Sequence, residues 1–231
     1  MTVVAIHQPN FFPWLGYFDK LARADVFVVL DHVQFQKKGG NWANRVQLLT
    51  GGGRPGWVTA PVDRSYHGTL PISEVVIDET RPWRQKLLKT IVANYARAAH
   101  FEEAFPVVEE LIGHPSRRLA ELNENAIRRL IGEIGLPARQ IVLSSSLEPA
   151  GSATDLLIEL VRAVEGDVYL SGGGAEGYQE PDKFEAAGIE LRMQDFEHPV
   201  YPQGKGEFVP GLSVIDPLLH LGPEGTRRLL C

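Results

Sequence analysis

His7 and Asp31 are the residues whose types and positions can most readily do chemistry in this chain. His7 closes the apolar run 2–6, and Asp31 closes the apolar run 26–30. In an open parallel sheet, ligands bind outside the carboxyl ends of the strands. An imidazole there can carry a proton near neutral pH or donate to a developing oxyanion or phosphate. A carboxylate beside it can orient that imidazole, bind an amine or bind a ribose. Each residue also has a plainer reading, as a histidine tying its loop to the backbone or an aspartate capping a turn. The residue types leave both readings open.

Groups able to hold a substrate follow these two. Gln8 and Asn10 lie in a loop stiffened by Pro9 and Pro13. Gln34, Lys37, Lys38, Asn41, Asn44 and Arg45 follow Asp31 and suit phosphate or carboxylate recognition, Arg as a fork and Lys as a point charge. Gly172, Gly173 and Gly174 stand directly after the apolar run 168–170, where backbone N–H groups can cradle an anion. Tyr178 can close that loop. His198, Tyr201 and Gln203 come after the last apolar run. Ser213 precedes a helix and, with Asp216 three residues on, reads first as a cap. The expected catalytic pair is therefore His7 and Asp31. The expected substrate contacts are Gln8, Asn10, Gln34, Lys38, Asn44, Arg45, Gly172, Gly173, Gly174, Tyr178, His198, Tyr201 and Ser213.

The elements that must position them read as α/β. Runs 2–6 and 26–30 are continuously apolar, as in strands covered on both faces. Between them Trp14, Tyr17, Phe18, Leu21 and Ala22 share a helical face, with Asp19, Lys20 and Arg23 on the other. Residues 45–49 and 56–60 flank Gly51-Gly52-Gly53 as a hairpin, and 72–77 reads as a further strand. Three helices follow, the second interrupted near its start by Pro106 and the third ended by Gly135. Strands at 141–143, 168–170 and 189–196 then alternate with helices at 153–165, opened by a Ser152–Asp155 capping pattern, and 182–187. The expectation is one α/β domain, a mainly parallel Rossmann-like sheet of which a HUP-like sheet is one form, with residues 81–136 as a helical insertion.

Bulk properties narrow the classes. The chain has 231 residues, 44% of them hydrophobic, and a formal charge of −6. That balance carries no general nucleic-acid footprint. The lone cysteine, Cys231, allows no internal disulfide and fits a reducing compartment. No leader peptide or membrane span is expected, so the reading is cytoplasmic. No zinc-spaced ligand set and no Gly-x-Ser-x-Gly elbow occurs.

The segments His-Gln-Pro-Asn-Phe-Phe-Pro-Trp-Leu-Gly-Tyr-Phe at 7–18 and Ala-Asp-Val-Phe-Val-Val-Leu-Asp-His-Val-Gln-Phe at 24–35 resemble the opening of the WbqC-like family. Asn-Trp-Ala-Asn-Arg at 41–45, Tyr-Leu-Ser-Gly at 169–172, His-Pro-Val-Tyr-Pro-Gln at 198–203 and Pro-Gly-Leu-Ser-Val-Ile-Asp at 210–216 extend the likeness along nearly the whole chain. The resemblance implies work on O-antigen and other cell-surface sugars or on natural products. It points to acyl or aminoacyl transfer onto an amine of a sugar nucleotide or small metabolite. The donor would be an acyl-CoA, an acyl carrier protein or an aminoacyl-tRNA. A fainter likeness links strand, histidine loop, helix and strand to HUP-type nucleotidyltransferases. Asn10 stands where their second histidine falls, and no Lys-Met-Ser-Lys-Ser motif follows. Nucleotidyl transfer and a non-catalytic nucleotide- or sugar-binding module are the alternatives.

Overall fold

The computed structural model describes residues 1–37, 42–137, 139–173, 179–204 and 206–230. In chain order the elements are β1 (Val3–His7), α1 (Leu15–Arg23), β2 (Val26–Val29), β3 (Arg45–Thr50), β4 (Arg54–Thr59), α2 (Trp83–Tyr95), α3 (Phe101–Ile112), α4 (Leu119–Ile134), β5 (Gln140–Leu143), α5 (Ala153–Ala163), β6 (Val168–Ser171), α6 (Pro181–Ala186), β7 (Glu190–Met193) and α7 (Ile215–Arg228). They fall into two compact units, one of residues 1–8, 16–32 and 137–197 and one of residues 9–15, 33–136 and 198–231.

The first unit is an α/β layer built on a five-stranded sheet in the order β5-β2-β1-β6-β7. Every pairing in it is parallel. Its central strands are the continuously apolar runs, and all four residues of β2 are buried. That is the signature of strands covered on both faces. Counted by appearance, the strands lie third, second, first, fourth and fifth. The sheet therefore grows outward in opposite directions from β1 and β6, and the switch point between them is where doubly wound sheets bind ligands. Tyr17, Phe18 and Leu21 of α1 are at most 1% exposed and join Phe27, Leu160 and Leu170 in the core. Side chains pin the start of β1, because Asp167 accepts from the Thr2 N–H and Asp25 from the Val3 N–H. A Cβ at Gly166 would lie 2.4 Å from Val4 Cγ2, so the chain entering β6 passes too close for any other residue.

In the second unit, β3 and β4 form the expected hairpin around a turn with φ of +80° at Gly52 and +72° at Gly53. α3 and α4 pack on α7, and α4 also packs on a 3-10 turn at Ile72–Glu74. Gly135, at φ +73°, ends α4 with a left-handed cap.

Local expectations fail in four places. Residues 72–77 form that 3-10 turn and isolated bridges from Ile77 to Val62 and from Val76 to Arg118, not a strand. Their buried residues Ile72, Val75 and Ile77 do not alternate, so no pleated face exists. Pro106 lies inside α3 without breaking it. Ser152 makes no side-chain cap to α5. The last strand is confined to Glu190–Met193.

Candidate functional site

At the carboxyl edge of the first unit's sheet, His7 ends β1 beside the switch point. Its Nδ1 lies 3.2 Å from the Gln8 carbonyl, which fixes Nδ1 as the donor and leaves Nε2 the acceptor. Its ring meets the Tyr17 ring edge-on at 4.7 Å. Burial, and next the charge of Lys20, lower its pKa to about 3, against the pull of the Gln8 carbonyl. The imidazole is thus neutral through the physiological range, a hydrogen-bonding group first and only a weak base.

Lys20 is the functional candidate that pattern reading missed. It does not share the exposed face of Asp19 and Arg23. It is 3% exposed, and its Nζ donates to the Ile6 carbonyl at 2.8 Å. Among the described residues it has no ion pair, and burial lowers its pKa from 10.5 to about 7. A signal was present: positions 17, 20, 21 and 24 follow the buried helical spacing, and Lys20 stands inside it. A lysine tuned this close to neutrality is a proton carrier or an anion receptor.

Gly172 follows β6 beside this ammonium. A Cβ there would sit 3.4 Å from Gln194 Oε1 and 3.8 Å from Lys20 Nζ, so glycine keeps the approach to both free of a side chain. Gln194, just past β7, is 6% exposed. Its amide donates to Gly16 O and to Asp19 Oδ2, both at 2.7 Å. Arg23 donates to its carbonyl. These bonds fix the edge where β6, β7 and α1 end. Gly173 is exposed. The expectations for Lys38, Gly174 and Tyr178 lie outside the described residues, as does Asn41.

Asp31 is 3% exposed. Its carboxylate accepts from Ser144 Oγ at 2.9 Å, Ser145 N at 2.9 Å and Ser145 Oγ at 2.7 Å. Ser144 Oγ lies 2.5 Å from His32 Nδ1. The hydrogen bonds Asp31 accepts among the described residues therefore come from the end of β5, not from His7. Ser144 and Ser145 escaped the sequence reading because the fold, not spacing, brings them to Asp31.

The other candidates belong to the second unit. Asn10 is 2% exposed, and its Nδ2 has no hydrogen-bond partner among the described residues. Asn44 donates to the Ala60 carbonyl at 3.0 Å, a structural tie. Gln34 is exposed and bridges Pro71. Arg45 lies over the Trp57 ring at 4.3 Å. His198 is exposed. Tyr201 donates to Asp216 Oδ1 and Tyr95 to Asp216 Oδ2, both at 2.8 Å. Ser213 is fully buried. Its hydroxyl donates to the Phe12 carbonyl at 2.7 Å and accepts from Ile215 N at 3.2 Å, locking the Pro-bounded loop onto α7.

A cavity of about 700 Å³ also opens in the second unit, lined by Asp63, Asp78, Glu79 and Arg117. Both aspartates there are committed to local turns, Asp63 accepting from Ser65 N and Asp78 from Thr80 N. The side-chain hydroxyls of Ser65 and Thr80 first, and these backbone bonds next, hold both carboxyls below the usual range, and neither residue was a candidate. Among the described residues no group of three or more His, Cys, Asp or Glu is placed to hold a metal. No described helix is long and apolar enough to cross a membrane.

The model of the WbqC-like protein family matches residues 8–228. A curated relative, the uncharacterized protein Rv1507c of Mycobacterium tuberculosis (strain ATCC 25618 / H37Rv), is 30% identical over 231 residues. The match covers 99% of this chain and 98% of the relative. No solved structure gives a significant match.

Proposed function

Because the chain belongs to the WbqC-like protein family, we propose that it is a transferase that acylates or aminoacylates an amine of a sugar nucleotide or small metabolite. Its chemistry would occupy the carboxyl edge of the parallel sheet. One observation supports this reading above others: a buried lysine with a pKa of about 7, without an ion-pair partner among the described residues, close to a neutral histidine at the switch point. Neutral Lys20 takes the proton of the attacking amine. The amine nitrogen bonds to the acyl carbon, the bond from that carbon to its carrier breaks, and the proton passes on to the departing carrier group. His7, through Nε2, orients the amine. Asp31 holds the neighbouring strand ends, and Gly172 leaves room for the acyl group. The lone cysteine fits a cytoplasmic setting, where activated acyl donors are made.

The test is a mass-spectrometric screen of the purified protein. Amino-sugar nucleotides and small amines are paired with acyl-CoAs, loaded acyl carrier protein and aminoacyl-tRNA. The expected result is a product heavier by the acyl group, formed ~10²-fold or more slowly by Lys20→Met and by His7→Ala. Equal rates in both variants would remove these residues from the mechanism. The strand order favours one second reading, because dinucleotides bind at this crevice in sheets of the same order. Release of pyrophosphate from ATP or CTP in the same screen would select nucleotidyl transfer instead.

A further inference from the structure

Three of the four tryptophans in the chain meet on one surface of the second unit. Trp14 contacts Trp42 at 5.2 Å between ring centroids, and Trp42 contacts Trp57 at 5.1 Å. Trp42 and Trp57 are 40% and 44% exposed, an unusual state for the largest side chain. The hairpin register explains what lies around them. Arg45 pairs with Thr59 and Gln47 with Trp57, so all four side chains project from one face of β3 and β4. Val46 and Leu48 point to the opposite, buried face.

Among the described residues, the polar side chains of this face are not committed to one another or to neighbours through hydrogen bonds. The Gln47 amide, the Thr59 hydroxyl and the Arg45 guanidinium have no side-chain hydrogen-bond partner among the described residues, and Arg45 has no carboxylate partner there. Arg45 instead has its guanidinium carbon over the Trp57 ring at 4.3 Å, a contact with the ring face that uses none of its N–H groups as hydrogen-bond donors to a carboxylate. The ring planes are inclined by 51° and 65°, so successive rings form no parallel slot for a flat base. Tilted rings suit the C–H faces of a puckered sugar, and the amide and hydroxyl beside them suit its hydroxyls. The guanidinium, without a carboxylate partner among the described residues, supplies charge complementarity for an anion.

We propose that the Trp42–Trp57–Arg45 face of the hairpin binds a hexopyranose bearing a phosphate or carboxylate. This goes beyond the transfer reaction, and it is measured with no acyl donor present, so its failure and the failure of the transferase reading are separable. The experiment is a titration of the full chain, followed by tryptophan fluorescence and calorimetry at low ionic strength. The probes are glucose 1-phosphate, galactose 1-phosphate, glucuronate, glucose, inorganic phosphate and AMP. Saturable binding is expected for at least one anionic sugar, with glucose and inorganic phosphate each ~tenfold weaker or worse. Which anionic sugar binds tells phosphate from carboxylate. Trp57→Ala weakens binding ~tenfold or more and Trp57→Phe by less, while Arg45→Gln reduces the anionic sugar to the level of glucose. Both sites are at least partly exposed, and unchanged thermal unfolding confirms that the variants fold. Tighter binding of AMP than of every sugar, no saturable sugar binding up to about 10 mM, or wild-type affinity in both Trp57→Ala and Arg45→Gln would overturn the proposal.

Discussion

Replacing Lys20 by methionine gives a protein whose stability changes relative to the wild type with pH. A lysine held at about 7 in the native state, against 10.5 unfolded, carries a penalty on its charged form of on the order of 5 kcal/mol. Between those two values the unfolded chain binds the extra proton, so wild-type stability rises with pH across that window. Below about pH 7 the full penalty is present. Methionine fills a similar volume without charge, but it leaves the Ile6 carbonyl without its Nζ donor, a loss of about 1–3 kcal/mol. The variant is therefore more stable than wild type by about 2–4 kcal/mol near pH 6, and that advantage shrinks to about zero near pH 9. Urea unfolding at the two pH values reads this directly, because other titrations are common to both proteins and cancel in the difference. In the assay of the proposed reaction the same variant loses ~10²–10⁴-fold in turnover. A protein more stable yet inactive is the expected trade at a functional site. A difference that is the same at both pH values, or a variant destabilised at both, would refute the reasoning.

Other expectations follow from the same geometry. His7→Ala stays folded and loses ~10²-fold or more in turnover, and the acid limb of the wild-type pH–rate profile falls near Lys20's value of about 7, not near His7's value of about 3. Asp31→Ala strips Ser144 and Ser145 of a buried acceptor and lowers unfolding stability by about 2–3 kcal/mol in urea. Tyr95→Phe leaves the Leu49 N–H without its phenol partner and Asp216 without one of its two phenol donors, at a cost of about 1–3 kcal/mol in the same measurement. Burial pushes the Asp216 carboxyl up from 3.8 despite two phenol donors. The native state keeps that proton longer than the unfolded chain, so this group's contribution falls as pH rises from 3.8 through the native value. Asp216→Asn flattens that fall, seen as a smaller drop in urea midpoint across the window.

The sheet was legible where burial on both faces leaves a continuous apolar run. Val26 to Val29 could be little else, and β1 reads the same way. The hairpin was legible because Gly52 and Gly53 supply the positive φ its turn needs. Residues 72–77 misled because a short apolar cluster does not specify a period, and the chain spent it on a 3-10 turn. For the site, His7 was visible from its strand end, but the partners of Asp31 were not. Ser144 and Ser145 lie more than a hundred residues away, and only the pairing of β2 with β5 brings them close. Lys20 was misread for a different reason. Residue type suggested solvent, whereas its place among Tyr17, Leu21 and Ala24 demanded the interior, and its flexible stem lets the ammonium reach the Ile6 carbonyl.

The most direct measurement is an NMR titration of the protein carrying ¹³Cε-labelled lysine, with Lys20→Arg used to assign the signal. One lysine resonance should titrate near 7, vanish in the variant, and move upward when a bound anion restores the ammonium's partner. A Lys20 resonance that titrates near 10.5, with the solvent lysines, would contradict the buried proton carrier on which the proposed chemistry rests.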